Sequence, residues 1–327
     1  MAKKMIDALM ACHLGTAINS CHKKTMKLAY NIDRVVAANA KADNVDIKSI
    51  YRLEKTGLPW KLMALHVQKL SLPGQSIWYG DWKQNIDEYD TIIVFGCHFN
   101  WNVLDYIKSK NSHARLIVWF WDTISKRYWL PEKYYSMAEV WSFDPIDCSK
   151  YKMKQNTQFY VYKNIETGKE AYDALYVGRD KGRVSQINTI CDAIKASGLT
   201  VNQYIVATHE KSQSTVSNIE IHDKPLEYEE YLQLLSQVRC VIDVPKDIQN
   251  GLTLRVLESI CHNKKLITTN KRLINESFYN PNNILIWDNP TQEDLIAFFA
   301  KPYEPVDEEI RNYYLFDSWL NRFFEEQ

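Results

Sequence analysis

The sequence has no long apolar run. Its uninterrupted apolar stretches are short, such as residues 116–121, whereas a helix that crosses a bilayer needs roughly 20 mainly apolar residues. No signal peptide is evident. We therefore expect a cytoplasmic, soluble protein, with peripheral contact at the inner face of the plasma membrane left open.

Cysteine motifs are missing as well. The 7 cysteines are spread along the chain without a C-x-x-C pair and without a histidine at zinc-finger spacing. Scattered cysteines in odd number indicate reduced, mostly buried thiols, as in a cytoplasmic protein. The 40 basic and 40 acidic side chains cancel and there is no basic tail, so the sequence does not favour a nucleic-acid partner.

Two phosphate-binding fingerprints are also absent. The sequence contains neither G-x-G-x-x-G nor G-x-x-x-x-G-K-[ST], so dinucleotide-dependent dehydrogenases and P-loop NTPases lose support. What the sequence does have is an ordinary globular composition, with 46% hydrophobic and 24% charged residues among 327. That length is sufficient for two domains with separate cores.

The first half of the chain shows buried strands from residue 91 onward. Short β-branched and aromatic runs bounded by turn formers occupy residues 91–96, 115–121 and 139–143, and a helical pattern covers residues 102–110. Strand, helix and strand in this order predict a parallel sheet. The first 40 residues instead predict two helices and no opening strand, with lysines that fit a solvated helix face better than a membrane contact.

The second half repeats this order more clearly. The pattern predicts strands at residues 174–178, 201–207, 240–244, 265–269 and 283–287, and helices at residues 184–197, 228–238 and 254–262. This order is typical of a Rossmann-like domain. We expect an N-terminal Rossmann-like domain over residues 1–165, a C-terminal one over residues 166–300, and a terminal helix over residues 301–327 that packs back on the first domain.

Residues 176–183 combine a strand end, a helix start and three cations. Gly178 would let the backbone approach a ligand, and Arg179, Lys181 and Arg183 supply positive charge where a helix N-terminus attracts phosphate. Ligands of open α/β sheets bind beyond the carboxyl ends of the strands. The segment predicts a diphosphate site, with a solvated basic turn as the alternative.

Residues 243–258 also follow a strand and open a helix. Asn250, Gly251 and Thr253 could cap that helix or present polar groups to an oxygen-rich ligand. Arg255 and Glu258 lie three apart on one helical face, so they could form a modest surface pair. Alternatively, Glu258 could accept hydrogen bonds from the vicinal hydroxyls of a ribose.

Together these segments resemble a known family. The order strand, Gly-Arg-x-Lys-Gly, helix, and later Asn-Gly-Leu-Thr-x-Arg-x-x-Glu-Ser with Lys-Lys-Leu-Ile-Thr-Thr-Asn, is similar to the donor domain of GT-B glycosyltransferases. The Trp-Ser-Phe-Asp stretch at residues 141–144 and the chain up to residue 160 are similar to bacterial capsule and lipopolysaccharide glycosyltransferases. The resemblance covers residues 92–288 and implies an α/β fold of two Rossmann-like domains facing across a cleft, with the donor on the C-terminal one.

The resemblance also implies roles for single residues. Arg179 and Lys181 match the basic pair that neutralises the donor diphosphate, while Gly251 and Thr253 would contact phosphate or sugar. Glu258 matches the last glutamate of the Glu-x7-Glu pattern, which holds the ribose. Asn250 stands where that pattern has its first glutamate, so a mechanism copied from retaining enzymes is not implied.

The N-terminal half offers two candidates for a catalytic base. His98 and Asp122 each follow a predicted strand, where an acceptor proton could be removed. Each has a simpler alternative, namely a loop histidine and a capping aspartate. No Asp-x-Asp metal motif occurs at a suitable strand end, so we expect neither a metal nor another cofactor.

These observations predict a glycosyltransferase of surface-polysaccharide or lipopolysaccharide biosynthesis. Its partners would be a nucleotide-sugar donor and a glycan or lipid-linked acceptor. Two alternatives stay open. The first is a transferase of the same fold that uses a CMP- or CDP-linked donor, and the second is a non-catalytic partner subunit that kept the two-domain shell.

Overall fold

The computed structural model describes residues 10–12, 25–29, 45–53, 57–96, 101–124, 130–161, 165, 168–208, 221–246 and 249–325. Within these residues the chain divides into two compact units. The second unit runs from Gln158 to Ser318, and the first unit holds the described chain up to Thr157 and resumes at Trp319. Each unit contains its own largely parallel sheet, so the α/β class with two Rossmann-like units is confirmed.

A seven-stranded sheet forms the centre of the first unit in the described residues. Its strands are β1 (Met10–Cys12), β2 (Thr25–Ala29), β3 (Val45–Ser49), β4 (Thr91–Gly96), β5 (Arg115–Phe120), β6 (Glu139–Ser142) and β7 (Lys154–Gln155). Their order is β1-β3-β2-β4-β5-β6-β7, and β1 alone pairs antiparallel within the described residues. The three strands predicted after residue 90 are therefore confirmed as β4, β5 and β6.

The N-terminal stretch differs from its prediction. β1 and β2 lie in a segment predicted to be helical and strandless, and β2 pairs in parallel with β4, with Thr25 opposite Thr91. The prediction is therefore wrong at these residues. Met26 and Leu28 do alternate with polar residues at the period of a strand, but the run is too short to outweigh the helical spacing of the later apolar residues.

Three helices of the first unit are described: α1 (Gly57–Ala64), α2 (Asn102–Lys110) and α3 (Pro145–Tyr151). α1 continues into a π-helical turn, Leu65–Lys69, and α2 has the bounds that the sequence predicts. α3 begins after Asp144, whose carboxylate accepts hydrogen bonds from the backbone N–H groups of Ile146 and Asp147. Asp144 is thus a capping residue.

The second unit contains a six-stranded sheet in which every pairing is parallel. Its strands are β8 (Tyr172–Arg179), β9 (Val201–Val206), β10 (Ile221–His222), β11 (Val238–Asp243), β12 (Lys265–Thr268) and β13 (Ile284–Ile286). They lie in the order β10-β9-β8-β11-β12-β13. Numbered from β8, this is the 3-2-1-4-5-6 order of a Rossmann fold.

Helices cover both faces of the second sheet. The helices described after residue 183 are α4 (Val184–Ala196), α5 (Tyr228–Ser236), α6 (Leu254–Cys261), α7 (Gln292–Ala300), α8 (Glu308–Tyr313) and α9 (Phe316–Asn321), which spans the end of the unit, and the first four cover the sheet. Side chains of α4 and α7 share one apolar cluster with Ala174, Tyr176 and Ile242. The buried side chains of α5 and α6 lie outside that cluster and against β8, β11 and β12. None of the described helices is long and apolar enough to cross a bilayer.

The last residues of the chain complete the core of the first unit. Trp319 and Phe323 are buried. The Trp319 ring lies 5.4 Å from that of Trp119 and 5.8 Å from that of Phe95, and the Phe323 ring lies 4.9 Å from that of Trp141. The rings of Trp319 and Phe323 therefore pack against β4, β5 and β6.

Candidate functional site

The strand order of the second sheet reverses between β8 and β11. These strands are parallel neighbours, yet the chain leaves β8 towards β9 on one side and returns to β11 on the other. In open α/β sheets such a reversal opens a crevice at the carboxyl ends of the two strands, where ligands bind. Residues 178 and 179 end β8 and residues 180–183 follow it, while residues 244–258 follow β11. The two segments singled out in the sequence therefore meet at one edge of one sheet.

The loop after β8 turns sharply into α4. Lys181 and Gly182 have positive φ values of 47° and 79°, a conformation that favours glycine. The buried carboxylate of Asp180 accepts the N–H of Gly182 at 2.7 Å. Arg183 is the N-cap residue of α4, which has no side-chain cap and no acid in its first turn. Such a helix N-terminus favours an anion.

Two arginines tie the loops together through backbone carbonyls. Arg183 donates through Nη2 to the carbonyl oxygen of Arg179 at 3.0 Å and through Nη1 to that of Val244, just beyond β11. Arg255 on α6 donates through Nε and Nη2 to the carbonyl oxygen of Val177 in β8, at 3.3 and 2.9 Å. Each arginine reaches from its own segment to the neighbouring one. The two junctions are thus held side by side.

These contacts divide the predicted cations into two groups. Arg183 directs its donors at backbone carbonyls, and Arg255 directs its donors at a backbone carbonyl and the Glu258 carboxylate, which gives both a positioning role. The guanidinium of Arg179 has no hydrogen-bond or ion-pair partner among the described residues. Lys181 is exposed. The guanidinium of Arg179 is therefore not committed to an internal partner in the described part of the chain, and Lys181 adds a second positive charge at the exposed turn.

Gly178 is required by the protein itself. A Cβ at this position would come within 2.8 Å of the hydroxyl oxygen of Tyr176, which lies on the same side of β8. Tyr176 is buried and belongs to the core under α4. The close approach that calls for glycine here is therefore to an internal tyrosine, whereas the sequence suggested a ligand.

The carboxylate of Glu258 is completely buried on α6. Its Oε2 accepts the hydroxyl of Tyr231 at 2.6 Å and Nη1 of Arg255 at 2.7 Å, and its Oε1 accepts the hydroxyl of Tyr228 at 3.2 Å. Burial, and after it the charge of Glu258, raises the pKa of Tyr228 well above its ordinary value, so its hydroxyl keeps its proton. The Arg255–Glu258 pair expected on the surface is present, but it lies in the core, and both carboxylate oxygens have partners there.

Sequence reasoning missed the continuation of this buried network. The hydroxyl oxygens of Tyr228 and Tyr160 lie 3.2 Å apart, at hydrogen-bond distance, and Tyr160 hydrogen-bonds Nε2 of His262 at 2.7 Å. Burial lowers the pKa of His262 to about 4. The spacing of Tyr228 and Tyr231 on one face of α5 was the available signal, but apolar packing explains that spacing equally well.

The segment after β11 is fixed by a buried carboxylate. Asp243 accepts the hydroxyls of Thr253 at 2.8 Å and Thr268 at 2.9 Å. Thr253 also accepts the N–H of Val256 and caps α6, which is one of the two roles predicted for it. Its hydroxyl is therefore committed within the unit. Gly251 just before it is buried, and Asn250 is half-buried.

Of the two candidate bases, Asp122 lies at the carboxyl edge of the first sheet. His98 lies outside the described residues. Asp122 follows β5, is half-buried, and accepts the N–H of Thr123 at 3.0 Å. Two residues after Asp122, the N–H of Ile124 donates to the carboxylate of Asp147 at 2.7 Å. In the part of the chain that the structure describes, no group of three His, Cys, Asp or Glu side chains could hold a metal ion.

Comparisons with known proteins give weak likenesses. No family model and no curated protein matches the sequence. The structure is similar to a mutant of S. aureus TarM in complex with fondaparinux, alpha-GlcNAc-glycerol and UDP (10% identity, 71% of this chain and 54% of that chain, TM-score 0.44). It is also similar to AviGT4, a glycosyltransferase involved in avilamycin A biosynthesis (10% identity, 71% of this chain and 82% of that chain, TM-score 0.45). A further similar structure is a UDP-GlcNAc 2-epimerase from Methanocaldococcus jannaschii (13% identity, 74% of this chain and 78% of that chain, TM-score 0.36). These TM-scores lie below 0.5, so the fold assignment rests on the two sheets themselves.

Proposed function

We propose that this protein is a GT-B glycosyltransferase that transfers a sugar from a nucleotide-sugar donor to a surface-polysaccharide or lipid-linked glycan acceptor. One observation supports this most. At the reversal point of a Rossmann-type sheet, two arginines hold the β8 and β11 junctions together, and Arg179 and the exposed Lys181 lie beside an uncapped helix N-terminus. That arrangement suits a diphosphate.

In the proposed reaction the departing nucleoside diphosphate carries the developing negative charge. Arg179, Lys181 and the first turn of α4 would stabilise that charge, which is commonly the largest contribution to such a transfer. Asn250 and Gly251 would contact the phosphate or sugar. On the first unit, His98 or Asp122 would take the acceptor proton if the transfer inverts the anomeric centre. We assign no ligand contact to Glu258, because its oxygens are used inside the core.

The double variant Arg179→Ala/Lys181→Ala tests this proposal. We expect at least a roughly tenfold loss of nucleoside-diphosphate affinity and loss of transfer, because two charge-assisted contacts disappear. The melting temperature should not change, since neither side chain is buried. Lys195→Ala, at the other end of α4, is the matched control. Unchanged nucleotide affinity in the double variant would contradict the phosphate assignment.

The identity of the leaving group needs a separate experiment. Thermal shifts of the full chain with UDP, GDP, CDP and CMP distinguish a nucleoside-diphosphate donor from a CMP-linked one. We expect a diphosphate to stabilise the protein more than CMP does, because a ligand of the native state raises its stability by an amount that grows with the logarithm of its affinity at a fixed concentration. A preference for CMP would favour the alternative donor.

A second candidate function is that of a non-catalytic partner subunit that binds nucleotide. The buried Glu258 carboxylate and the Asn250 replacement favour it, since both remove groups that the Glu-x7-Glu pattern supplies to a donor. Nucleotide binding that depends on Arg179 and Lys181, without transfer or hydrolysis of any donor, would identify this function.

A further inference from the structure

One short stretch of the first unit exposes an unusual amount of aliphatic surface. Six side chains between residues 58 and 77 are 43% to 67% exposed, and they are Leu58, Leu62, Leu65, Leu70, Leu72 and Ile77. The remaining large hydrophobic side chains that are exposed in the described residues lie singly along the chain, and they are Ile146, Tyr172, Ile274, Ile296 and Tyr313. Single exposed apolar residues are normal, but a cluster calls for an explanation.

The leucines of this stretch form one surface. Leu58, Leu62 and Leu65 follow each other at four and then three residues along α1, so they share a helix face. The π-helical turn continues to Leu70, whose N–H donates to the carbonyl of Leu65, five residues earlier, at 2.9 Å. The N–H of Leu72 donates to the carbonyl of His66 at 3.1 Å, so Leu72 stays beside the same turn. We call this surface, Leu58, Leu62, Leu65, Leu70 and Leu72, the leucine face.

The leucine face is not the inward side of α1. Met63 on α1 and Val67 on its π-helical continuation are both fully buried and pack towards the core. The helix is thus apolar towards the protein and apolar towards its surroundings. A helix that is hydrophobic all round is normally covered on both sides.

The charges on this stretch have one sign. Residues 57–80 contain Lys61 and Lys69 but no aspartate or glutamate, and both lysines are exposed. The next acidic residue along the chain, Asp81, is paired with Lys48 at 3.5 Å. An apolar face accompanied by cations complements a surface that is apolar inside and anionic outside.

We propose that the leucine face docks the protein on an anionic lipid bilayer. The leucines would enter the boundary between headgroups and acyl chains, while the stems of Lys61 and Lys69 run along the apolar surface and their ammonium groups reach the anionic headgroups. The inference agrees with the proposed function, since a lipid-linked acceptor would be met at such a surface. Vesicle binding requires neither a donor nor transfer, so each can fail without the other.

The experiment uses the full chain and vesicles of phosphatidylcholine with or without phosphatidylglycerol. In co-sedimentation, the unmodified protein should bind the vesicles that contain phosphatidylglycerol. The variant Leu58→Ser/Leu62→Ser/Leu65→Ser should bind them on the order of tenfold or more weakly, because three apolar side chains no longer insert. The control Ile274→Ser/Ile296→Ser removes equally exposed side chains elsewhere and should bind like the unmodified protein.

Charge is tested separately with Lys61→Ala/Lys69→Ala. This variant should bind the anionic vesicles more weakly than the unmodified protein, and its binding should change less when salt is added. Three results would overturn the proposal. The first is equal sedimentation of the leucine variant and the unmodified protein, or no binding by either. The second is a dimer in light scattering that the leucine substitutions dissociate, which would show a second copy on this face. The third is a large drop in melting temperature without vesicle binding, which would show that the chain itself covers it.

Discussion

The carboxyl edges of the two sheets are held in different ways. In the second sheet, guanidinium groups of Arg183 and Arg255 reach backbone carbonyls across the β8–β11 boundary. In the first sheet, the loop after β5 is held by the carboxylate of Asp147, and the rings of Phe95 and Trp121 lie 6.3 Å apart beside it. The second edge is therefore organised around cations and the first around a carboxylate and rings. A polyanionic ligand suits the second edge.

The largest effect is expected at the buried ion pair of the second unit. Arg255→Met should destabilise the protein by about 3–5 kcal/mol, because it leaves the Glu258 carboxylate buried without its cation. Urea unfolding gives the measurement. Arg179→Met, the matched control, should cost less than about 0.5 kcal/mol, since that side chain has no partner among the described residues. An equal loss of unfolding free energy in both variants would show that Arg255 does not hold the fold together more than Arg179 does.

An intermediate effect is expected from His262 as pH changes. Its pKa is about 4 in the native protein against an ordinary value of 6.5, so the unfolded chain binds the extra proton between these values. The contribution of His262 to the free energy of unfolding is therefore fully present above pH 6.5. It is lost as pH falls towards 4, by about 3 kcal/mol at most.

His262→Gln should therefore flatten the dependence of unfolding free energy on pH between 6.5 and 4. Urea titrations at several pH values in this window measure it, and His113→Gln, at an exposed position of the first unit, is the control. A variant with the slope of the unmodified protein would show that burial of His262 does not govern the acid response of the second unit.

The smallest effect is expected at the ion pair of the first sheet. Arg115 donates through Nε and Nη2 to Glu139 at 2.6 and 2.8 Å. Burial raises the pKa of Glu139, but the hydrogen bonds and charges of Arg115 and Lys154 outweigh it and lower the pKa to about 2. The resulting stability, about 1–2 kcal/mol, is present above the ordinary pKa near 4.5 and is lost as pH falls towards 2.

Glu139→Gln should remove that part of the acid sensitivity, as measured by unfolding between pH 4.5 and 2. The pair is partly exposed, with side chains 32% and 30% accessible, so added salt should weaken it. The Arg255–Glu258 pair is buried and should respond little. If salt weakened both pairs equally, the contrast between a solvated pair in the first unit and a dry one in the second would be lost.

The sequence predicts the second unit well because its strands are β-branched runs with clear ends and its helices have regular apolar spacing. It also predicts the cap at Thr253 from local order alone. It does not predict β2, whose alternation is too short. Nor does it predict where Arg183 and Arg255 donate, because their acceptors belong to a strand that becomes a neighbour only in the folded sheet. The burial of Glu258 is missed for the same reason, since spacing does not show which helix face is covered.

The return of Trp319 and Phe323 to the first sheet has a consequence for synthesis. The ribosome delivers these two rings only after the whole of residues 158–318 has been made, so the first unit cannot complete its core before then. The half of the protein that is translated first therefore has to wait for the last residues of the chain.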